Sequence, residues 1–343
     1  MKKIFLTVDT ECHDINLQNK YIWGTINGKP YGLERILMLG KELDISINFF
    51  VDIAECKRYG VQFIKNICDM IEKYGQNVYI HLHPNYISGD DERTFLWQYN
   101  SDEQRIIIEE TLEYYRELFP GRLLPAFRAG RYGVNKEIYL ELYKAFNGRV
   151  LDLSYCSPGG KMCHLFAEDV KTNNAVIKFS NCIIFPNTSF ICLDFWGINK
   201  RMGLDAAQGT IGEFKEVLKS NSLGYIIITM HSWNFIKSFF FIKKKIWAHK
   251  SHLRKFRKMV EFAKNNKYQF CDLERDFILE EAIKESDQVQ NLSKGFIGKI
   301  KSLIRNFIRF QDMAWLSPKY FYFYTSLYGL IVIIVILLLI VVI

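Results

Sequence analysis

An α/β fold with a largely parallel sheet is what this 343-residue sequence predicts. Three observations carry the expectation. Short apolar runs of strand length alternate with longer segments of helical period, the order that builds βαβ units. The runs are apolar along nearly their whole length, as strands covered on both faces are. Four of them close on residues that do chemistry: Asp9 with Glu11, His81 with His83, Arg128, and His231.

Lys3 to Val8 reads as the first strand, and residues 12–32 as a polar, glycine-containing loop. Leu33 to Leu43 has helical spacing, whereas Ile45 to Asp52 alternates and then runs apolar as a strand. Val61 to Tyr74 is an amphipathic helix that Gly75 stops. Val78 to His83 is a buried strand; Pro84 ends its pairing and opens a loop to residue 100. Ser101 is the expected cap of a helix reaching about Phe119. Pro125 to Arg128 is a short strand, Asn135 to Phe146 a helix, Val150 to Leu153 a strand, and 155–190 irregular or β. Thr210 caps a helix to Ser220, and Tyr225 to Met230 is a strand ending at His231. A helix over 250–265 and a strand over Tyr268 to Cys271 complete the main body, 1–275. Residues 276–293 lose apolar periodicity and lead into a basic amphipathic stretch, 294–310.

Apolar residues make up 49% of the chain and charged ones 24%, enough to bury a sizeable core. The net charge of +8 is concentrated. Lys237 to Lys258 and Lys294 to Arg309 are basic blocks without an acid, both rich in Phe and Ile. Basic and apolar residues mixed in this way suit an anionic membrane surface. No nucleic-acid motif accompanies the charge, so no nucleic-acid partner is expected. The eight cysteines show no CxxC pairing and read as small buried thiols of a reducing compartment. The apolar run after Met1 is too short for a signal peptide.

Ser326 to Ile343 is uncharged and almost wholly aliphatic, with aromatics ahead of it in Phe321 to Tyr324. A transmembrane helix over 321–343 is the expectation, with 276–320 as linker and membrane-surface segment. The positive residues precede the span, which places the large N-terminal part in the cytoplasm, held by a single-pass C-terminal anchor.

On a strand, residues i and i+2 share a face, so His81 and His83 aim at one point. Alone, such a pair is more often structural than metal-binding. A carboxylate with two histidines makes an open divalent-metal site suited to activating water. A second carboxylate can take a proton, a separate histidine can give one, and Arg128 can orient a carboxylate. His13, Asp14, His164, His249 and His252 carry no such signal, the last two belonging to the basic membrane-facing block. Trp196 and Trp233 line a sugar site or pack in the core.

Over residues 1–275 the sequence resembles the polysaccharide deacetylases, whose catalytic unit is the NodB homology domain. The motifs are Thr7-Val8-Asp9-Thr10-Glu11, Asn48-Phe49-Phe50-Val51, His81-Leu82-His83-Pro84, Phe127-Arg128-Ala129-Gly130-Arg131-Tyr132-Gly133, Asp152-Leu153-Ser154-Tyr155 with Ser157-Pro158, and Thr229-Met230-His231-Ser232-Trp233. The histidine motif has the form of a divergent branch that includes bacterial surface-polysaccharide proteins. The resemblance implies a deformed (β/α) barrel and removal of an N-acetyl group from an amino sugar. It makes Asp9 the catalytic base, Arg128 the residue that holds it, and His231 the general acid. It makes Glu11, His81 and His83 the ligands of a divalent metal, Zn²⁺ above other first-row ions. Tyr132 or Arg131 lends a backbone N–H to the oxyanion, and Trp233 belongs with the substrate residues. Two positions depart from the family pattern. Thr10 stands where the metal-binding acid normally follows the base, and Asn85 where the second histidine normally falls.

A lipid-linked glycan is an expected form of the substrate, because the chain is expected at the membrane. Three other readings stay open: hydrolysis of another C–N bond, such as a formyl sugar or small amide, a non-catalytic membrane-bound carbohydrate-binding protein, and a membrane-surface scaffold.

Overall fold

The computed structural model describes residues 2–122, 126–146, 150–155, 163–165, 174–179, 182–195, 198–239, 242–276 and 290–314, with Tyr322 and Ser326. Lys2–Thr10 is the second strand along the path of a nine-stranded sheet, and it pairs with three others. Ile4, Phe5, Leu6 and Val8 are at most 1% exposed, so both of its faces are covered. Tyr225–His231 pairs with it in parallel along one edge. Tyr268–Phe270 and Asn48–Asp52 pair in succession with the other. The sheet continues in parallel through Asn77–Leu82, Ala126–Ala129, Val150–Asp152 and Cys182–Ile184, and ends on antiparallel Ile177–Phe179.

Irregular backbone brings the two ends of this path together. Thr229 exchanges backbone hydrogen bonds with Leu204 and Ala206 (3.0 and 2.8 Å), and the Ile227 amide donates to Thr188 Oγ1 at 2.9 Å. The result is a deformed (β/α) barrel in which part of the wall is loop rather than ladder. The helices cover it as their periodicity predicts. Val61–Lys73 buries Ile64, Ile67, Cys68 and Ile71, a single stripe at helical spacing. Each fully buried aliphatic side chain contributes roughly 1.5–3 kcal/mol.

The strands and long helices fall close to their expected places, and the connections differ. The 12–32 loop contains a turn of 3₁₀ helix at Ile15–Leu17, a wider turn at Asn19–Trp23 and a small hairpin, Thr25–Ile26 with Lys29–Pro30. Pro84 starts a short helix, Pro84–Ser88, instead of a loop, because its missing N–H costs nothing in a first turn. Asn100, not Ser101, caps Ser101–Leu118: its side chain accepts from the Glu103 amide, and Glu103 accepts from the Asn100 amide. Two antiparallel pairs escape the sequence reading, Ser189–Phe195 with Ile198–Gly203 and Ile236–Phe239 with Ile242–Ala248.

The basic blocks are not wholly outward. The His252 ring turns inward onto the Asn234 carbonyl oxygen at 3.1 Å, and burial and the nearby Lys255 push its pKa down to about 3. Phe256, Met259, Val260 and Ala263 of the Lys250–Asn265 helix are buried. The stretch 294–310 lies in a helix, Gly295–Ala314, packed on the Ser189–Phe195 strand. Seven cysteines are described, and all of them are buried. Among the described residues no helix is long and apolar enough to cross a membrane, and the expected span, 321–343, lies outside them apart from Tyr322 and Ser326.

Asp152 shows how closely this interior is wired. Its carboxylate accepts from the Tyr139 hydroxyl (2.8 Å), the Ser154 hydroxyl (2.5 Å) and the Ser154 amide (3.1 Å). Burial still raises its pKa from 3.8 to about 6. A folded-state pKa above the unfolded one contributes stability that is present at low pH and lost as pH rises from about 4 through about 6, roughly 3 kcal/mol at most. The advantage of wild type over Asp152→Asn in urea unfolding should therefore be larger at pH 4 than at pH 7.

Candidate metal centre

Parallel register puts the reactive residues at one end of the sheet. Asp9 lies beside His231, His81 beside both Asp52 and Arg128, and Phe127 beside Asp152. All lie toward the carboxyl-terminal mouth, where barrel folds build their sites.

Glu11, one residue beyond the opening strand, is 4% exposed and reaches both histidines. Its Oε2 is 2.6 Å from His83 Nε2 and 3.6 Å from His81 Nε2. The three residues offer ligand atoms within 4.8 Å of one another, all buried. Glu11 Oε2 and His83 Nε2 have no hydrogen-bond partner despite their proximity, so two buried polar atoms face each other unsatisfied. A divalent cation between them would satisfy both. His81 is oriented to join them, with its Nδ1 3.0 Å from the Arg128 carbonyl oxygen. With the proton on Nδ1, the Nε2 lone pair is left for a metal, the outer-shell arrangement typical of ligating histidines. The donor set fits a first-row divalent ion. The Asn85 side-chain N–H turns to Asp91 Oδ1 (3.1 Å), and His83 is the second histidine of the group.

Asp9 and Arg128 form a second cluster. Arg128 is fully buried, and its Nη1 donates to Asp9 Oδ1 at 2.5 Å. Its other donors go to Thr7 Oγ1 (2.9 Å), Asn187 Oδ1 (3.1 Å) and the Leu153 carbonyl oxygen (3.2 Å), and the guanidinium lies 4.4 Å from the Phe50 ring centroid. His231 Nε2 is 3.9 Å from Glu11 Oε1, and its ring stacks on Trp233 at 4.6 Å. Arg131 and Tyr132 follow Gly130 with φ of 55° and 57°. Two successive non-glycine residues in the left-handed region mark a strained turn of the kind that concentrates at functional sites.

His13, which carried no sequence signal, belongs here. A φ of 57° at His13 turns the chain back, and its Nε2 lies 3.2 Å from Glu11 Oε1. Its ring makes an edge contact with Tyr21 and a tilted one with Trp233, so the mouth has an aromatic wall. Glu55 fixes the turn by accepting from the Cys12 amide (2.8 and 2.9 Å) and the His13 amide (2.8 Å). Asp52 Oδ1 accepts from the His83 amide at 3.3 Å. A carboxylate at a strand end, as in Val51-Asp52, was the available signal for Asp52. Glu55 and His13 had none, because their roles depend on a turn the sequence does not announce. Of the other histidines, His164 stacks on Trp97 at 3.8 Å. Trp196 and the Ser157-Pro158 part of the fourth motif lie outside the described residues.

The charges balance around Glu11. Burial pushes its carboxyl pKa up, but His13 and His83 outweigh that and hold it well below the ordinary value. The His83 pKa is lowered, mainly by burial, which keeps its imidazole neutral and able to ligate. Burial pushes Asp52 well up, with the Glu55 and Glu11 charges adding to it.

No family model matches the chain, and no curated protein does. Among solved structures, a protein of Mycobacterium smegmatis assigned as a polysaccharide deacetylase superposes over 84% of this chain and 94% of its own, with a TM-score of 0.50 at 13% identity. The fold is that of the polysaccharide deacetylases. Matches also include a family 4 carbohydrate esterase of Streptomyces lividans (10% identity, 80% and 95% covered, TM-score 0.42). Another is a chitin deacetylase of Colletotrichum lindemuthianum (14% identity, 82% and 90% covered, TM-score 0.41).

In this deacetylase fold, Gly130 is the point where the Arg128 strand passes under His83. A Cβ added there would lie 2.5 Å from His83 Cδ2 and 2.6 Å from its Cγ. Gly130→Ala should therefore push the imidazole aside and weaken divalent-metal affinity about 10–100-fold, the scale seen when a ligand's support is lost. Isothermal titration with Zn²⁺ checks this.

Proposed function

We propose that the protein is a metal-dependent hydrolase that removes the N-acetyl group of an amino sugar in a polysaccharide or lipid-linked glycan. The observation that carries it is the convergence of Glu11, His81 and His83 on one buried point beside the Asp9–Arg128 pair. The deacetylase fold agrees with it.

Glu11, His81 and His83 would hold the ion, for which the donor set favours Zn²⁺. When bound, such an ion polarises the amide carbonyl and acidifies water. Asp9 acts as general base, fixed in direction by Arg128 Nη1. His231 lies on the same mouth with its ring steadied by Trp233, and protonates the departing amine. In this reading the backbone N–H of Tyr132 or Arg131, both in the strained turn, serves the developing oxyanion. Tyr21 and Trp233 offer aromatic faces to a sugar ring.

In this reading residues 1–275 are the catalytic unit, 276–320 the connection, and 321–343 a single transmembrane anchor with the catalytic unit on the cytoplasmic side. The uncharged run from Ser326 to Ile343 and the basic residues before it support that placement. A membrane-held enzyme would meet a lipid-linked glycan at high local concentration.

The test incubates the full chain in detergent with N-acetylated amino sugars and their lipid-linked forms, with and without chelator. Acetate release that stops on chelation and returns with Zn²⁺ is expected. Release that survives chelation, or none from any acetylated sugar, overturns the proposal.

A further inference from the structure

The helix Gly295–Ala314 is built inside out. Its inward side is polar. Ser302, Asn306 and Arg309 are at most 6% exposed. Arg309 Nη2 donates to both Glu213 carboxylate oxygens at 2.6 Å, and Arg305 donates to both Glu216 oxygens at 3.0 and 2.6 Å. The Asn306 amide donates to the Cys192 carbonyl oxygen at 3.1 Å. The outward side is apolar: Phe296, Ile297, Ile300, Leu303, Ile304 and Ile308 are between 42% and 79% exposed. Of the eleven large hydrophobic residues exposed among the described ones, these are six, and they follow one stripe at spacings of three and four.

We infer that this stripe lies in the interfacial layer of a lipid bilayer. Contiguous exposed apolar surface on this scale marks an interaction site. Three facts favour lipid as the occupant over a second copy of the chain. The sequence continues within twelve residues of Ala314 into the aliphatic run Ser326 to Ile343, which is long enough to span the hydrocarbon core. Lys294 and Lys301 stand exposed beside the stripe, where anionic headgroups would meet them. Finally, the polar contacts a water-facing helix would present outward are turned onto the body, so water gains nothing from this face.

Because Arg305 and Arg309 bolt the helix to Ile211–Ser220, it cannot roll. That helix feeds directly into the strand ending at His231. Lipid contact along the stripe thus fixes the tilt and height of the mouth over the membrane, which a tail anchor on a loose tether would not. The inference rests on the membrane placement above, and its test separates the two.

The test is nitroxide labelling of the full chain in phosphatidylcholine–phosphatidylglycerol vesicles, at Ile304→Cys and, separately, Val335→Cys. The seven described native cysteines are buried. The expected result at 304 is collision with dissolved oxygen exceeding collision with an aqueous nickel chelate at least several-fold. Greater access to the chelate overturns the inference. So does spin–spin broadening between copies, which indicates a dimer, or an immobile label shielded from both reagents, which indicates the tail folded back. A label at 335 exposed to the chelate removes the anchor without touching the result at 304.

Discussion

On the function proposed above, Glu11→Gln should abolish divalent-cation binding and lower amide hydrolysis by roughly three orders of magnitude. Glu11 supplies the only carboxylate oxygen of the ligand group, and its Oε2 sits within 3.6 Å of both His81 and His83 ring nitrogens. An amide oxygen has the same shape but no charge, so two neutral imidazoles would have to hold a dication without compensation. Glu11 also meets His13 and His231, at 3.2 and 3.9 Å. Its loss therefore unsettles the whole mouth. Metal analysis after dialysis and acetate release are the two readouts. Near-stoichiometric Zn²⁺ in the Gln variant would show that the cluster is not the binding site. His81→Ala should give the same loss of metal with less disturbance at His13, because His81 faces the Arg128 strand.

Arg128→Met is the second large effect, and it falls on stability as well as activity. Arg128 is fully buried and satisfies four acceptors at once, on Asp9, Thr7, Asn187 and Leu153. Methionine fills much of the volume but leaves the buried Asp9 carboxylate without its guanidinium and takes a donor from Thr7 Oγ1 and Asn187 Oδ1, while the Leu153 carbonyl oxygen keeps the Asn187 amide at 2.9 Å. Breaking a buried ion pair from one side costs about 3–5 kcal/mol. Urea unfolding should show a loss of that size, while the double variant Asp9→Asn/Arg128→Met should recover part of it by removing the stranded charge. Arg128→Lys should fall between, since an ammonium cannot reach Asp9, Thr7 and Asn187 from one planar fork. A stability loss below about 1 kcal/mol for Arg128→Met would mean that the pair does not anchor the barrel.

What could be read beforehand followed from local physics. The i, i+2 geometry of His81 and His83 needs only a strand, and a strand was legible from Val78-Tyr79-Ile80. Asp9 and His231 lie at matching heights because each ends an apolar run, and parallel register then aligns them. Helices such as Val61–Lys73 were legible because burial imposes a period of about 3.6 residues. The misses have the opposite origin. His13 enters the site through a left-handed turn held by Glu55, forty-two residues away in sequence. The strand Ser189–Phe195 owes its place to pairing with Ile198–Gly203 and to the terminal helix, not to its own pattern. The basic block 294–310 was legible as amphipathic, but which side faced the body was not, because Glu213 and Glu216 reverse the usual assignment.

The turn at Arg131 and Tyr132 has a consequence for how this protein can be improved. Each residue holds a backbone conformation that costs of order 1 kcal/mol or more for an L side chain. Glycine at either position would relieve that tension and raise the melting temperature, yet it would also free the peptide unit to swing. A thermostabilising change at this turn therefore lies where a loss of rigidity would trade turnover for robustness.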